Sequence, residues 1–329
     1  MLRTLFRLFT HTQLMPVLES GEETLVGGQA VMEGVMMRAP HSYCVAVRRK
    51  DGEIVTEQQP LAKISDKHKI FKLPIFRGMG TLYQAMSLGM KALKFSADVS
   101  MEDLQKEEKA LNKEVKELPG WVLAGNLLFS LAMFIFMYKV IPLYCATWLQ
   151  KNYPAFHGTI AFNLADGLVR MLIFVVFMWA LSMMKDIHRV FEYHGAEHKV
   201  VFNYESGQPV NVANAQKFTT FHPRCGTSFL FVVIIVSIVF YTFIPYTDFL
   251  PRLLARIALL PLIAGTSYEL IRFAAKRRGS VLATITAPGL WLQRITTKPP
   301  ADDQAAVAIR ALEGAMALEE QQGGELVIA

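Results

Sequence analysis

Apolar residues run in long unbroken blocks through the middle of this chain and alternate with polar ones near its start. The two patterns predict different structures. Four blocks approach the ~20 residues an α-helix needs to cross ~30 Å of hydrocarbon. They run from about Trp121 to Ile141, from about Ile160 to Met184, from roughly Ser228 to Ile244 and from roughly Leu253 to Ala274. The last is the least apolar, because it carries Arg256, Glu269 and Arg272.

Residues 25–75 read as short strands. The alternation of Tyr43, Val45 and Val47, followed by the turn pair Asp51-Gly52, predicts a hairpin. The pair Gly27-Gly28 suits a turn or a close backbone approach. Residues 78–97 have helical spacing, with Leu82, Met86, Met90 and Leu93 on one side. The stretch MEDLQKEEKALNKEVKEL continues as a charged helix, a solvated connector that ends at Pro119-Gly120. The C-terminal ADDQAAVAIRALEGAMALEEQ again has helical periodicity. The expected fold class is an α-helical membrane protein, with about four transmembrane helices and a small N-terminal α+β cytoplasmic domain. Its parts are an arm (1–24), a strand-rich domain with a helix (25–98), the connector (99–119), a membrane domain (120–275) containing a polar loop (185–226), and a C-terminal segment (276–329).

Charge sharpens this picture. The chain is 52% hydrophobic yet has 34 basic and 28 acidic residues, and most of these lie outside the apolar blocks. Lys185, Arg189, Lys199, Lys217 and Arg224 fall between the second and third blocks, and Lys276, Arg277 and Arg278 follow the fourth. The loops at about 142–159 and 245–252 carry only Lys151 and Arg252. The positive-inside bias therefore places both termini and the 185–226 loop in the cytoplasm. The net charge of +6 does not imply nucleic acid, since no basic run is interleaved with aromatics. The expected partners are the lipid bilayer and a membrane-protein partner or a second copy of the chain. Three scattered cysteines, Cys44, Cys145 and Cys225, fit a reducing compartment and not a disulfide framework. The first twenty residues lack a continuous apolar core and a small-residue cleavage site, so they do not read as a signal peptide; a short amphipathic arm on the membrane surface and a disordered terminus are the two readings left open.

The chemistry concentrates in FEYHGAEHKV, residues 191–200, where the second block is expected to continue as one helix. His194 and His198 are four residues apart and share a helix face, and Glu197 lies beside that face. The order His-x-x-Glu-His is the inverted zinc motif: two imidazole ligands and a glutamate placed to take a proton from water. Gly195 lowers helix propensity by about 1 kcal/mol relative to alanine, so a kink or break is expected there. FHPRCGTSF adds His222 and Cys225 in the same loop. His194, His198, His222 and Cys225 together form a closed tetrahedral set, as in a structural zinc site. With Glu269 as third ligand instead, the site stays open for catalysis, though Glu269 can equally pair with Arg272. Asp166 and Arg170 are expected to neutralise each other, and Cys44 and Cys145 to serve as packing residues.

Four stretches, GGQAVMEGVMMR (27–38), YHGAEHKVVFNYE (193–205), HPRCGTSF (222–229) and PGLWLQR (288–294), resemble the YqhQ-like family of bacterial integral membrane proteins. The resemblance runs from about residue 25 to 315. It implies a multi-pass protein of the bacterial plasma (inner) membrane, from a family carried as a domain of unknown function and sometimes labelled a predicted metal-dependent enzyme. The expectation is a cytoplasm-facing divalent-metal site, with Zn²⁺ the leading ion. His194 and His198 hold the metal, His222, Cys225 or Glu269 completes it, and Glu197 is the general base of a metal-dependent hydrolase. The rival is a non-catalytic membrane assembly or scaffold protein with a structural metal. A transporter built on Asp166, Arg170 and Glu269 is disfavoured, because no internal repeat is evident.

Overall fold

The computed structural model describes residues 26–62, 68–110, 120–222, 225–276 and 281–321. The N-terminal arm, the end of the connector, Arg224 and the Arg277-Arg278 pair lie outside the described residues.

Four strands, β1 (Gly27–Val31), β2 (Gly34–Arg38), β3 (Ser42–Arg48) and β4 (Ile54–Pro60), form an antiparallel meander in sequence order. The expected hairpin joins β3 to β4. Arg48 pairs with Ile54, and Gly52 takes the left-handed conformation (φ 93°) that its turn requires. β3 is buried on both faces, because the sheet is covered on both sides. Met36, Tyr43, Val45 and Val47 pack against Leu88, Ala92 and Val99 of α1 (Phe76–Ala110). Val35, Met37, Cys44 and Ala46 pack against Tyr193, Ala196 and Val200 of α5 (Lys185–Glu205) and Ala308 and Leu312 of α10 (Asp302–Gln321). The helix carrying the histidine motif therefore shares a core with the sheet.

α1 is one helix of 35 residues. Its second half is not simply solvated. Glu102 and Asp103 hold Arg49 at 2.6 and 2.7 Å, and Glu107 holds Lys50 at 2.6 Å, which clasps the β3–β4 hairpin to the helix.

The apolar blocks form α2 (Gly120–Ile135), which continues through a π-helical turn (Phe136–Val140) into α3 (Ile141–Asn152), then α4 (Thr159–Ser182), α6 (Gly226–Thr242), α7 (Phe249–Ala258) and α8 (Leu260–Lys276). α9 (Val281–Thr296) follows. Among the described residues, Gly125–Asn152 and Thr159–Ser182 are long and apolar enough to cross a membrane. α7 and α8 reach that standard only as a pair, bent by 47°. The apolar part of α6, Phe229–Thr242, is shorter. The outward faces of the two long helices are apolar: Leu127, Leu128 and Phe129 are 64–68% exposed, and Leu168 and Leu172 62–63%.

The second block does not run on into the motif as one helix. α4 ends at Ser182, and Met184 is extended (ψ 129°) before α5 begins. α5 itself stays helical through Gly195. It ends at Ser206, where Gly207 (φ 68°) supplies the left-handed residue that closes many helices.

Candidate metal centre

α5 is buried from Gly195 to Asn203, so Glu197 and His198 are held by packing, while His194 at the edge of that run is half-buried. Gly195 is the key to that packing. A Cβ there would lie 2.0 Å from the carbonyl oxygen of Lys298, in the segment joining α9 to α10. The Lys298 N–H donates to the Phe191 carbonyl at 2.9 Å. The glycine is thus needed for close approach of a neighbouring backbone, and it does not break the helix.

That segment also orients the first histidine. His194 Nδ1 lies 2.8 Å from the Thr296 carbonyl, and His198 Nδ1 lies 2.5 Å from the Thr220 carbonyl. A carbonyl only accepts, so both Nδ1 atoms carry the proton and both Nε2 atoms present a lone pair. This is how ligating histidines are held by their surroundings. The chain just before Thr220 is tied to Lys199 of α5. Its ammonium donates to the Gln216 and Phe218 carbonyls at 2.7 Å each.

Cys225 immediately precedes α6 and completes the cluster. His194, His198 and Cys225 each offer one ligand atom, all within 4.8 Å of one another. Cys225 Sγ is 3.3 Å from His194 Nε2 and 3.4 Å from the Thr227 hydroxyl. Tetrahedral bonds of ~2.0 Å to nitrogen and ~2.3 Å to sulfur imply an N···S separation of about 3.5 Å, close to that spacing. His198 is 2% exposed, whereas His194 and Cys225 are half-buried, so the cluster is open on one side only.

Glu197 stands beside these atoms. Its carboxylate is 3.9 Å from His194 Nε2, and the residue is 7% exposed. Strand β1 presses on it: a Cβ on Gly28 would lie 2.8 Å from Glu197 Cγ. The expected close backbone approach is therefore at Gly28, and it walls in the glutamate.

His222 lies one layer behind the cluster. Its ring is 5.5 Å from that of His198 and 4.5 Å from that of Phe202, centroid to centroid, and its Nε2 faces Glu205 at 3.7 Å. Burial pushes its imidazolium down to about 4; His194 acts in the same direction and Glu197 against it. Its backbone is clamped by Gln293 of α9. Gln293 Oε1 accepts from His222 N–H and Gln293 Nε2 donates to His222 C=O, both at 2.8 Å.

Glu269 does not join the cluster. Its carboxylate accepts two hydrogen bonds from Arg77 at the start of α1, from Nε at 3.1 Å and Nη2 at 2.5 Å. The planar guanidinium fork satisfies both oxygens, so Glu269 is neither the third ligand nor the partner of Arg272. Glu33 accepts hydrogen bonds from Arg189 and the Tyr193 hydroxyl.

Thr296, Thr220, Lys298 and Gln293 position the site without carrying a recognisable motif. The one trace of them in the sequence is PGLWLQR, which contains Gln293.

Among the described residues, fold and cluster together define a largely helical protein with a small antiparallel sheet, two to three helices apolar enough to span a membrane, and a His/His/Cys group able to hold a metal ion. The chain belongs to the family described as a protein of unknown function (DUF1385), which matches residues 73–318. It is also similar to the "Uncharacterized protein YqhQ" of Bacillus subtilis (strain 168), 35% identical over 300 residues, covering 89% of this chain and 92% of the relative. No solved structure matches the chain.

Proposed function

We propose that this is a multi-pass protein of the bacterial plasma membrane that binds a divalent metal, most favourably Zn²⁺, and acts as a metal-dependent hydrolase on the cytoplasmic side. The wide apolar faces of α2–α3 and α4 support membrane insertion, because such surface is strongly disfavoured in water. α6 and the bent α7–α8 pair then complete four spans. The excess of basic residues in 185–226 supports a cytoplasmic centre.

The observation that carries the hydrolase reading is the ligand set. His194, His198 and Cys225 give three ligands, the number found in catalytic zinc sites, with two imidazoles and a thiolate suited to zinc. An ion held there supplies Lewis acidity that brings the pKa of water down towards ~7. Glu197 is the carboxylate beside the ligand atoms, walled off by β1 and able to accept a proton. The Thr296 and Thr220 carbonyls keep both Nε2 atoms available.

The structural-metal reading draws on His222, 5.5 Å from His198 between ring centroids. Metal analysis of purified full-length protein separates the two. The hydrolase reading expects about one equivalent in wild type, Glu197→Gln and His222→Gln, and loss in Cys225→Ser. Cobalt substitution adds a spectrum: a hydroxamate that perturbs its bands identifies an exchangeable position. Loss of metal in His222→Gln with no hydroxamate response favours the structural site. Metal retained by Cys225→Ser refutes both.

A further inference from the structure

At the end of α4 and α6 remote from the histidines lies a cavity of about 320 Å³. Its wall includes Phe162, Asn163, Tyr241, Tyr246, Thr247 and Arg252. α6 starts beside Cys225 and ends at Thr242, so about 25 Å of helix separates the cavity from the metal centre.

Three basic side chains crowd behind this wall. The Lys139 amine and the Arg170 and Arg256 guanidiniums lie 5.4, 5.2 and 4.5 Å from the centre of the Tyr241 ring. Lys139 is brought inward by the π-helical turn, and it donates to the Tyr241 hydroxyl at 2.7 Å. Arg170 donates to Asp166 and to the Ser237 hydroxyl, the latter at 2.6 Å. Arg256 donates to Asp166 at 2.5 Å and to Asn163 Oδ1 at 2.7 Å. Asp166 thus serves two arginines and not Arg170 alone. Lys139, Arg170 and Arg256 are 7%, 4% and 1% exposed, and Asp166 is fully buried.

One carboxylate against two guanidiniums leaves a buried surplus of positive charge, with the Lys139 amine beside it. Burying an uncompensated charge is costly, so such a surplus calls for an anion. The Nε–H groups of Arg170 and Arg256 are also buried without an acceptor among the described residues. Arg252 adds a guanidinium in the cavity wall itself. Its Nε donates to the Tyr246 carbonyl at 2.8 Å and its guanidinium lies 4.4 Å from the centre of the Phe162 ring. Among the described residues its two terminal amino groups make no hydrogen bond. Asp248, the one acidic residue between 242 and 252, is exposed and outside the wall.

We propose that this cavity binds a phosphate group, as a monoester or diester, with Arg252 contacting the anion and the Lys139–Arg170–Arg256 cluster supplying the field that holds it. A planar guanidinium with free donors suits phosphate oxygens, and no carboxylate in the wall favours a metal cation. The volume falls in the range of small-ligand sites of about 300–1,000 Å³. The phosphate can belong to a lipid headgroup or to a free anion.

Purified full-length protein in zwitterionic detergent decides it. Inorganic phosphate and a short-chain phosphatidylglycerol are titrated separately, with thermal shift and calorimetry as readouts and chloride at equal ionic strength as control. The proposal expects at least one probe to bind. Arg252→Gln should weaken that binding at least tenfold, Arg252→Lys should recover part of it, and the melting temperature of unliganded Arg252→Gln should match wild type. Binding of the lipid alone identifies a headgroup site, and binding of phosphate by itself a free-anion site. Failure of both probes, an equal effect of chloride, or unweakened binding to Arg252→Gln overturns the proposal.

Discussion

The carbonyl oxygen of Lys298 sits where a side chain on Gly195 would have to begin, only 2.0 Å from an ideal Cβ. Two residues before Lys298, the Thr296 carbonyl receives the Nδ1 proton of His194. The glycine inside the His-x-x-Glu-His motif and the orientation of its first histidine therefore depend on one short backbone segment.

Gly195→Ala tests this dependence with a clear sign. Helix propensity alone would make alanine more stable by about 1 kcal/mol. The clash predicts instead a loss of about 2–3 kcal/mol, at the upper end for overpacking. Displacing Thr296 should also weaken metal binding roughly tenfold or more, as for other groups that orient a ligand. Denaturation midpoints and competition with a zinc indicator check both.

Gln293→Leu should be equally informative. It removes the acceptor of the His222 N–H in a buried setting, while the His222 C=O keeps the Cys225 N–H at 3.3 Å. An unpaired buried group costs about 1–3 kcal/mol, so a loss of about that size is expected. Gln293→Glu keeps an acceptor but sets a carboxylate oxygen against the His222 carbonyl in a fully buried place, so its loss should be at least as large. A stability equal to wild type in Gln293→Leu would show that the clamp is dispensable.

Glu269→Gln should leave metal content unchanged, because the carboxylate is engaged by Arg77 and not by the centre. The pair is partly exposed, so a loss of only about 1 kcal/mol is expected. The exchange Arg77→Glu with Glu269→Arg should recover most of it. Metal loss in Glu269→Gln alone would return this residue to the ligand set.

Acid should weaken the metal-free protein through His222. Burial holds its folded-state pKa down at about 4, against about 6.5 unfolded. Between those values the unfolded chain binds a proton that the folded chain does not, so stability falls as pH falls. The loss begins near pH 6.5 and amounts to about 1 kcal/mol by pH 5.5. His222→Gln should flatten this slope in melting experiments from pH 7.5 to 5.5. An unchanged slope would assign the acid sensitivity to other groups.

Much of this was legible because its causes are local. The Asp51-Gly52 turn specifies the β3–β4 hairpin, and four-residue spacing puts His194 and His198 on one face. The rest depends on long-range packing. The partner of Glu269 is Arg77, 192 residues away, and spacing along α8 pointed only to Arg272. Gly195 reads as a helix breaker until the α9–α10 segment is laid against it. The break between α4 and α5 carries no proline or glycine, only Met183 and Met184. The expected closed four-ligand set and the observed three-residue cluster differ by the position of His222, which is set by a glutamine on α9.

The packing of Cys44 against α5 and α10 has a practical consequence for following the centre in intact membranes. Burial raises its thiol to about 12 and leaves no exposed surface, so alkylating reagents should pass it by in the folded protein. In a Cys145→Ser background, maleimide labelling then reports on Cys225. Added zinc should slow that labelling, and a chelator should restore it. The sheet's inert cysteine thus turns the remaining thiol into an occupancy gauge that needs no purification.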